Sequence, residues 1–335
     1  MFIIVENNKI KTLKINNGIS LIFIYKKTIK LNLKKQKLEL KEKKVIHVHN
    51  HIISSVGIFP SGNLVSVSFD CSIIIYNSNF DILQTIPFAH GSLIQDLSIK
   101  DENNFITCSN GKGIKTWIKI KDEFVLNEFI PSSHSHNDII NKILYLNNGK
   151  IISCSKDKTI KIWEEKVEGK HQCVTILTHL NSVNSFLLLE DQNLLISSGE
   201  EETKFWNLKN NNYKCIKSLT KYWANYKNSL KRIDNDKIII NNNKDGKLYI
   251  ISVDIKEIIF TIDIEIECFG IEIINNKNII LIGGDENIII FKCDNYEQIQ
   301  FIENAHNGEI NGFIQINNED ILSFSNDETM KIWSF

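Results

Sequence analysis

SCSKDKTIKIW, residues 153–163, contains the pattern that decides the fold, because copies of it recur along the chain. Clear copies are SFSNDETMKIW at 323–333, SSGEEETKFW at 197–206 and CSNGKGIKTW at 108–117. When four weaker copies are counted as well, successive copies end 40 to 46 residues apart, which is the spacing of a repeat architecture. With four weaker copies included, the repeat units are approximately 5–32, 49–76, 90–117, 136–163, 179–206, 224–251, 264–291 and 306–333.

Residue types also recur at fixed places inside the units. Five units have a histidine 27 residues before the end, and these are His49, His90, His136, His179 and His306. Four strand positions in each unit are apolar in 29 of 32 cases, whereas the 42% apolar composition predicts about 13 by chance. The Ile-rich runs are bounded by Asn, Asp and Gly, which is typical of short β-strands between turns.

The apolar positions lie on both faces of each small sheet, so each sheet must be covered on both sides. A row of such sheets can bury all its faces only by stacking until it closes on itself. The sequence therefore predicts an all-β fold, a β-propeller with four strands in each blade. Insertions between units vary in length, as expected of surface loops.

The number of blades depends on the first unit, which departs most from the pattern. Eight aligned units predict eight blades, with residues 1–335 forming a single propeller. In the alternative with seven blades, KLELKE at 37–42 closes the ring and residues 1–35 form an N-terminal extension.

The early His, the Ser-x-Asp and the final Trp resemble the units of the WD-repeat β-propeller family. The match is most complete over residues 133–163 and 304–333, although no unit has the literal Trp-Asp dipeptide. The resemblance implies a hydrogen-bonded chain of side chains buried within each blade, in which donors and acceptors can satisfy one another. The full sets are His136, Ser155, Asp157 and Trp163, and His306, Ser325, Asp327 and Trp333. A variant set is His179, Ser198, Glu200 and Trp206.

The resemblance also implies a function, that of a non-catalytic scaffold or adaptor that docks proteins or peptides on one face of the propeller within a multiprotein complex. The positions that carry such contacts in the family correspond here to Ile52, Phe69, Leu93, Gln95, Ile139, Lys156, Lys227, Lys244, Glu267, Phe269, Glu309 and Asn311. The alternative for each of these residues is local packing beneath a loop.

Other patterns suggest other functions. Residues 26–44 hold nine lysines against two glutamates, so anion or nucleic-acid binding is the alternative function, although an exposed edge strand has the same composition. His, Ser and Asp together resemble a hydrolase triad, but a catalytic site is needed once, whereas this set recurs. The three histidines of HVHNH at 47–51 lack supporting acids or cysteines, so neither a metal nor a cofactor is expected.

Bulk composition is that of an ordinary globular protein. The formal net charge is -1, from 39 basic and 40 acidic residues, which argues against a strongly basic nucleic-acid surface. Seven cysteines occur without a C-x-x-C pair, and no run approaches the ~18 apolar residues of a membrane span. We therefore expect a reducing compartment, the cytoplasm or the nucleus.

Overall fold

A computed structural model describes the backbone of strands 2–6, 9–13, 21–24 and 27–28, and residues 39–335 apart from 168–169, 210–212, 221, 243–244 and 265. The chain divides into two compact units, Met1–Glu39 and Leu40–Phe335.

The first unit contains a four-stranded sheet. Its strands are Phe2–Glu6, Lys9–Leu13, Leu21–Ile24 and Lys27–Thr28. The first strand lies between the second and the third, and it pairs in parallel with the third. A propeller blade built from consecutive hairpins has only antiparallel pairs. The prediction of eight blades was therefore wrong, because unit 5–32 does not fold as a blade.

The second unit is a seven-bladed β-propeller. In blades 1 to 6 the four strands pair in chain order, and every pair is antiparallel. The strands of blades 1 to 3 are Ile53–Ile58, Leu64–Ser68, Ile73–Tyr76 and Ile82–Ile86; Ile94–Asp101, Asn104–Ser109, Ile114–Ile120 and Glu123–Ile130; and Ile140–Tyr145, Ile151–Ser155, Thr159–Val167 and Lys170–Thr178. Those of blades 4 to 6 are Val183–Leu189, Leu194–Gly199, Glu202–Asn207 and Lys214–Thr220; Leu230–Arg232, Lys237–Asn242, Lys247–Ser252 and Glu257–Asp263; and Gly270–Ile274, Ile279–Gly283, Ile288–Lys292 and Gln298–Ile302.

Blade 7 closes the ring with a strand from the start of the second unit. Its strands are Ile310–Gln315, Asp320–Ser325, Thr329–Ser334 and Lys41–His47. The strand Lys41–His47 pairs antiparallel with Thr329–Ser334, which confirms the seven-blade alternative. The closing strand begins four residues later than the predicted start at residue 37, because this register buries Ile46 in the core and brings Lys43 Nζ within 3.1 Å of Asp320 Oδ2.

The first strands of consecutive blades contact one another around the whole ring, so they surround the central axis. Apolar clusters lie between neighbouring blades. Val65 and Val67 of blade 1, for example, pack with Phe105 and Trp117 of blade 2. This arrangement explains why the strand positions are apolar on both faces.

The outermost strands are more exposed than the inner ones. Short 3-10 turns lie at Glu190–Gln192 and Asn275–Lys277. Among the described residues, no helix has the length and hydropathy of a membrane-spanning segment.

Candidate binding face around the central axis

Four side chains form a continuous hydrogen-bond network inside blade 3. His136 Nδ1 lies 2.8 Å from Asp157 Oδ2. His136 Nε2 lies 2.8 Å from Ser153 Oγ, which also accepts from Trp163 Nε1 at 2.9 Å. An ionised carboxylate only accepts and an indole only donates, so His136 Nδ1–H donates to Asp157 and the Ser153 hydroxyl donates to Nε2.

The predicted role of Ser155 in this network was wrong. Ser155 Oγ instead donates to the Asp138 carbonyl at 3.1 Å and accepts from the Asp157 N–H at 3.0 Å. The indole of Trp163 reaches Ser153, and Ser155 lies about 7 Å farther along the strand.

Blade 7 repeats this geometry. His306 Nδ1 lies 2.9 Å from Asp327 Oδ2, and Ser323 Oγ lies 2.6 Å from His306 Nε2 and 2.8 Å from Trp333 Nε1. Ser325 was predicted for the position of Ser323 and instead donates to the Gly308 carbonyl.

In blade 4 the acid of the network is Glu202, and the predicted Glu200 is exposed in the preceding turn. His179 Nδ1 lies 3.2 Å from Glu202 Oε1. The hydroxyl between histidine and tryptophan belongs to Ser197, and the predicted Ser198 contacts Thr203. The sequence pattern therefore found the histidine and the tryptophan but misplaced both partners.

The network keeps the acid ionised and the histidine neutral. Burial opposes the ionisation of Asp157, but hydrogen bonds from His136 and Thr159 outweigh it and hold the pKa of Asp157 far below its usual range. Burial lowers the pKa of His136, which keeps the imidazole neutral. In blade 2, which lacks the acid, burial and nearby Lys115 lower the pKa of His90 to about 3.

Near the axis, polar side chains five residues after the histidine slot join neighbouring blades. They donate to backbone carbonyls of the following blade, and the pairs are Ser54 to Ile94, Asn141 to Val183, Asn184 to Ala224 and Asn311 to Ile53. The distances are 2.6, 2.8, 3.1 and 3.0 Å. These bonds fix the mouth of the ring and satisfy carbonyls at the ends of the strands.

A cavity of about 480 Å³, which we call the axial cavity, opens at this face and is lined by residues of all seven blades. Nine of the twelve predicted partner-binding residues line it: Ile52, Phe69, Gln95, Ile139, Lys156, Lys227, Phe269, Glu309 and Asn311. Leu93 and Glu267 do not line it, and Lys244 lies outside the described residues.

The nine residues are not equally available to a partner. Phe269 is buried, and its ring centroid lies 4.6 Å from that of Tyr226. Gln95 Nε2 donates to Asn110 Oδ1 at 2.5 Å, so its amide is partly committed within blade 2. Phe69 and Ile139 are half-buried, and Lys156 is exposed.

Tyr226 and Asn225 also line the axial cavity, although sequence reasoning missed them. They lie one and two residues after Ala224, which stands at the histidine position of its unit, whereas the residue transferred from the family pattern is Lys227, three residues after it. The signal that was available is composition, because Tyr222, Trp223 and Tyr226 make this loop rich in aromatic residues.

An ion pair crosses the axis beside the cavity. Lys227 Nζ of blade 5 lies 3.0 Å from Asp96 Oδ1 of blade 2, on the opposite side of the ring. Asp96 Oδ2 accepts from the Ile143 N–H at 3.0 Å. Lys142 Nζ donates to the Lys227 carbonyl at 3.1 Å, and burial, reinforced by Lys231, lowers the pKa of Lys142 to about 8.

The lysine-rich segment 26–44 is only partly described. Within the closing strand, Lys43 pairs with Asp320, and Lys44 Nζ lies 5.4 Å from the centre of the Phe80 ring. Residues 29–38 lie outside the described residues. In the described ranges, no three His, Cys, Asp or Glu side chains are arranged to hold a metal ion.

Comparisons with known proteins agree with this arrangement. The family model "WD domain, G-beta repeat" matches residues 40–77 and 127–164. Each match contains all or part of an outermost strand and reaches the third strand of the next blade, and the first match contains the closing strand. "Ubiquitin homeostasis protein lub1" of Schizosaccharomyces pombe is 31% identical over 115 residues, which cover 33% of this chain and 14% of that protein. The similarity therefore involves a small part of that relative.

Proposed function

The chain is a WD-repeat β-propeller protein, and on this premise we propose that it is a non-catalytic interaction scaffold or adaptor whose partners dock over the axial cavity. The observation that carries the proposal is the composition of that cavity. Phe69, Tyr226 and Ile139 present apolar surface beside polar groups at one rigid mouth. Exposed aromatic side chains in a concave site are typical anchors for protein partners.

The burial of the Ser–His–Asp networks supports a non-catalytic function. Ser153, His136 and Asp157 have the connectivity of a hydrolase triad. Ser153 is completely buried, however, and its oxygen accepts from Trp163. A substrate cannot approach this hydroxyl without unpacking the blade, so we assign the networks a structural role.

The relative's name supports a finer proposal, that the partners belong to ubiquitin-dependent assemblies. Ubiquitin itself is the direct probe of this version. We further propose a reducing compartment, the cytoplasm or nucleus, for which the seven free cysteines are the supporting observation.

Affinity capture from a lysate, followed by quantitative mass spectrometry, tests the docking face. We expect Phe69→Ala combined with Tyr226→Ala to lose the partners that the wild type captures. Phe301→Ala is the matched control, because Phe301 is an exposed aromatic residue on the outermost strand of blade 6. If the double variant melts at the wild-type temperature and keeps every partner, the axial face is not the docking site.

A further inference from the structure

We propose that the partner segment docking on the axial face is basic, and that its Arg or Lys side chains bind along a groove running from blade 7 to blade 4. This inference rests on the proposed function, because it specifies the chemistry of the segment that the face accepts.

The groove consists of two adjoining cavities. A second cavity of about 390 Å³, the side cavity, is lined by Glu200, Glu201, Trp223 and three residues of the axial cavity. The shared residues are Asn184, Asn225 and Tyr226. Because the two cavities meet at these side chains, an extended peptide could occupy both, and we call them together the axial groove.

Aromatic side chains follow this groove. Tyr226 is 37% exposed where the cavities meet, and buried Phe269 packs against its ring. Trp223 lines the side cavity, and Phe69 lines the axial cavity. The faces of aromatic rings attract ammonium and guanidinium groups as well as apolar side chains. This set therefore suits long cationic side chains with aliphatic stems.

The carboxylates of the groove favour a positively charged partner segment. Glu309 Oε2 in the axial cavity accepts from Asn326 Nδ2 at 2.7 Å, and no described Lys or Arg lies within ion-pair distance of Glu309. Burial raises the pKa of Glu309, and the charges of Asp285 and Glu267 raise it further. A bound cation relieves this like-charge repulsion. Glu200 and Glu201 place two more carboxylates in the side cavity.

The two lysines that line the axial cavity do not neutralise these carboxylates. Lys227 is already paired with Asp96 across the axis. Lys156 belongs to blade 3, whereas the lining carboxylates belong to blades 4 and 7. A basic segment that follows the groove from blade 7 to blade 4 can therefore pair with carboxylates at both of its ends, and Tyr226 lies where the two cavities meet.

Selection from a phage library of random dodecapeptides on the wild-type chain tests the inference without a known partner. Selected peptides are then synthesised with a fluorescent label, and their Kd is measured by fluorescence polarisation at low and high salt. We expect Arg or Lys anchors, and we expect Glu309→Gln and Tyr226→Ala each to weaken binding about threefold to tenfold. Glu123→Gln is the charge-matched control, because Glu123 is exposed and lines neither cavity, and it should leave binding unchanged. High salt should weaken binding.

The inference is overturned if the selection yields no peptide, yields peptides without basic anchors, or yields basic peptides insensitive to both Glu309→Gln and Tyr226→Ala. Melting temperatures establish that each variant is folded. Neutral or acidic peptides that still depend on Phe69 would leave the docking face intact and reject only its basic specificity. The proposed function fails separately, if lysate partners are retained by the Phe69→Ala, Tyr226→Ala double variant.

Discussion

His171 Nδ1 lies 2.7 Å from Glu128 Oε2 and joins the outermost strands of blades 3 and 2. The second ring nitrogen of His171, Nε2, lies 3.0 Å from the Gly149 carbonyl. A carboxylate and a carbonyl are both acceptors, so only the doubly protonated imidazolium can donate to both. Burial opposes this charge, but the hydrogen bonds to Glu128 and Gly149 outweigh it and raise the pKa of His171.

This pair makes the stability of the blade 2 and blade 3 boundary depend on pH. Because the folded-state pKa of His171 is above its ordinary value of 6.5, the stabilisation is complete below that value and is lost as the pH rises through the folded pKa. We expect His171→Gln to lower the free energy of unfolding more at pH 5.5 than at pH 8.5, as measured by urea denaturation. An equal loss at both pH values would show that the pair is not charged.

In blade 4, Glu200 and Glu202 provide a matched test of the network. Glu202 accepts from the Leu180 N–H at 2.8 Å and pairs with His179, whereas Glu200 is exposed. Glu202→Ala should therefore cost about 1 to 3 kcal/mol, because the Leu180 N–H loses its acceptor and Lys204 loses its ion-pair partner. Glu200→Ala should change stability by less than about 0.5 kcal/mol. If Glu200→Ala lowers the melting temperature more than Glu202→Ala does, Glu200 is the acid of the network, as the sequence predicted.

Asp157 tests the most complete network. Its carboxylate accepts from His136, from Thr159 and from the Asn137 N–H, so Asp157→Ala should destabilise the chain by about 1 to 3 kcal/mol. Asp122→Ala is the control, because Asp122 is exposed in a turn of blade 2. Urea denaturation compares the two variants, and similar midpoints would remove the structural role assigned to Asp157.

Local repeats were predictable because each blade repeats the same strand pattern, as the buried Ile151, Ile152, Ile160 and Ile162 illustrate. The closure of the ring was harder, because the pairing of Lys41–His47 with Thr329–Ser334 depends on contacts between distant parts of the chain. The choice of Ser153 over Ser155 was also beyond the sequence, since both serines are buried on one strand and only the reach of Trp163 distinguishes them.

The residues of the binding face were also predictable only in part. The transferred positions Ile52, Phe69 and Ile139 do meet at one cavity, because equivalent positions of the blades converge on the axis. Tyr226 was not predicted, because the position transferred from the family pattern in its unit is that of the neighbouring Lys227. The ion pair between Lys227 and Asp96 joins residues of opposite blades, and no repeat pattern encodes such a contact.

Removing only one partner of the Lys227–Asp96 ion pair is expected to lower the free energy of unfolding strongly. Asp96 and Lys227 have side-chain exposures of 9% and 14%, so Lys227→Met leaves a poorly solvated carboxylate. We expect a loss of about 3 to 5 kcal/mol in the free energy of unfolding. The double variant with Asp96→Asn should recover part of the loss, since the amide oxygen can still accept from the Ile143 N–H. Lys156→Met, an exposed control, should be nearly neutral.

The most direct test of the seven-bladed ring that presents the axial cavity is a pair of N-terminal deletions. Removing residues 1–39 retains the closing strand Lys41–His47, whereas removing residues 1–47 deletes it. We expect the first deletion to unfold cooperatively near the wild-type melting temperature and the second to lose cooperative unfolding, because Thr329–Ser334 loses its partner strand. Equal stability of the two deletions, or loss of folding in the first, would contradict closure by this strand.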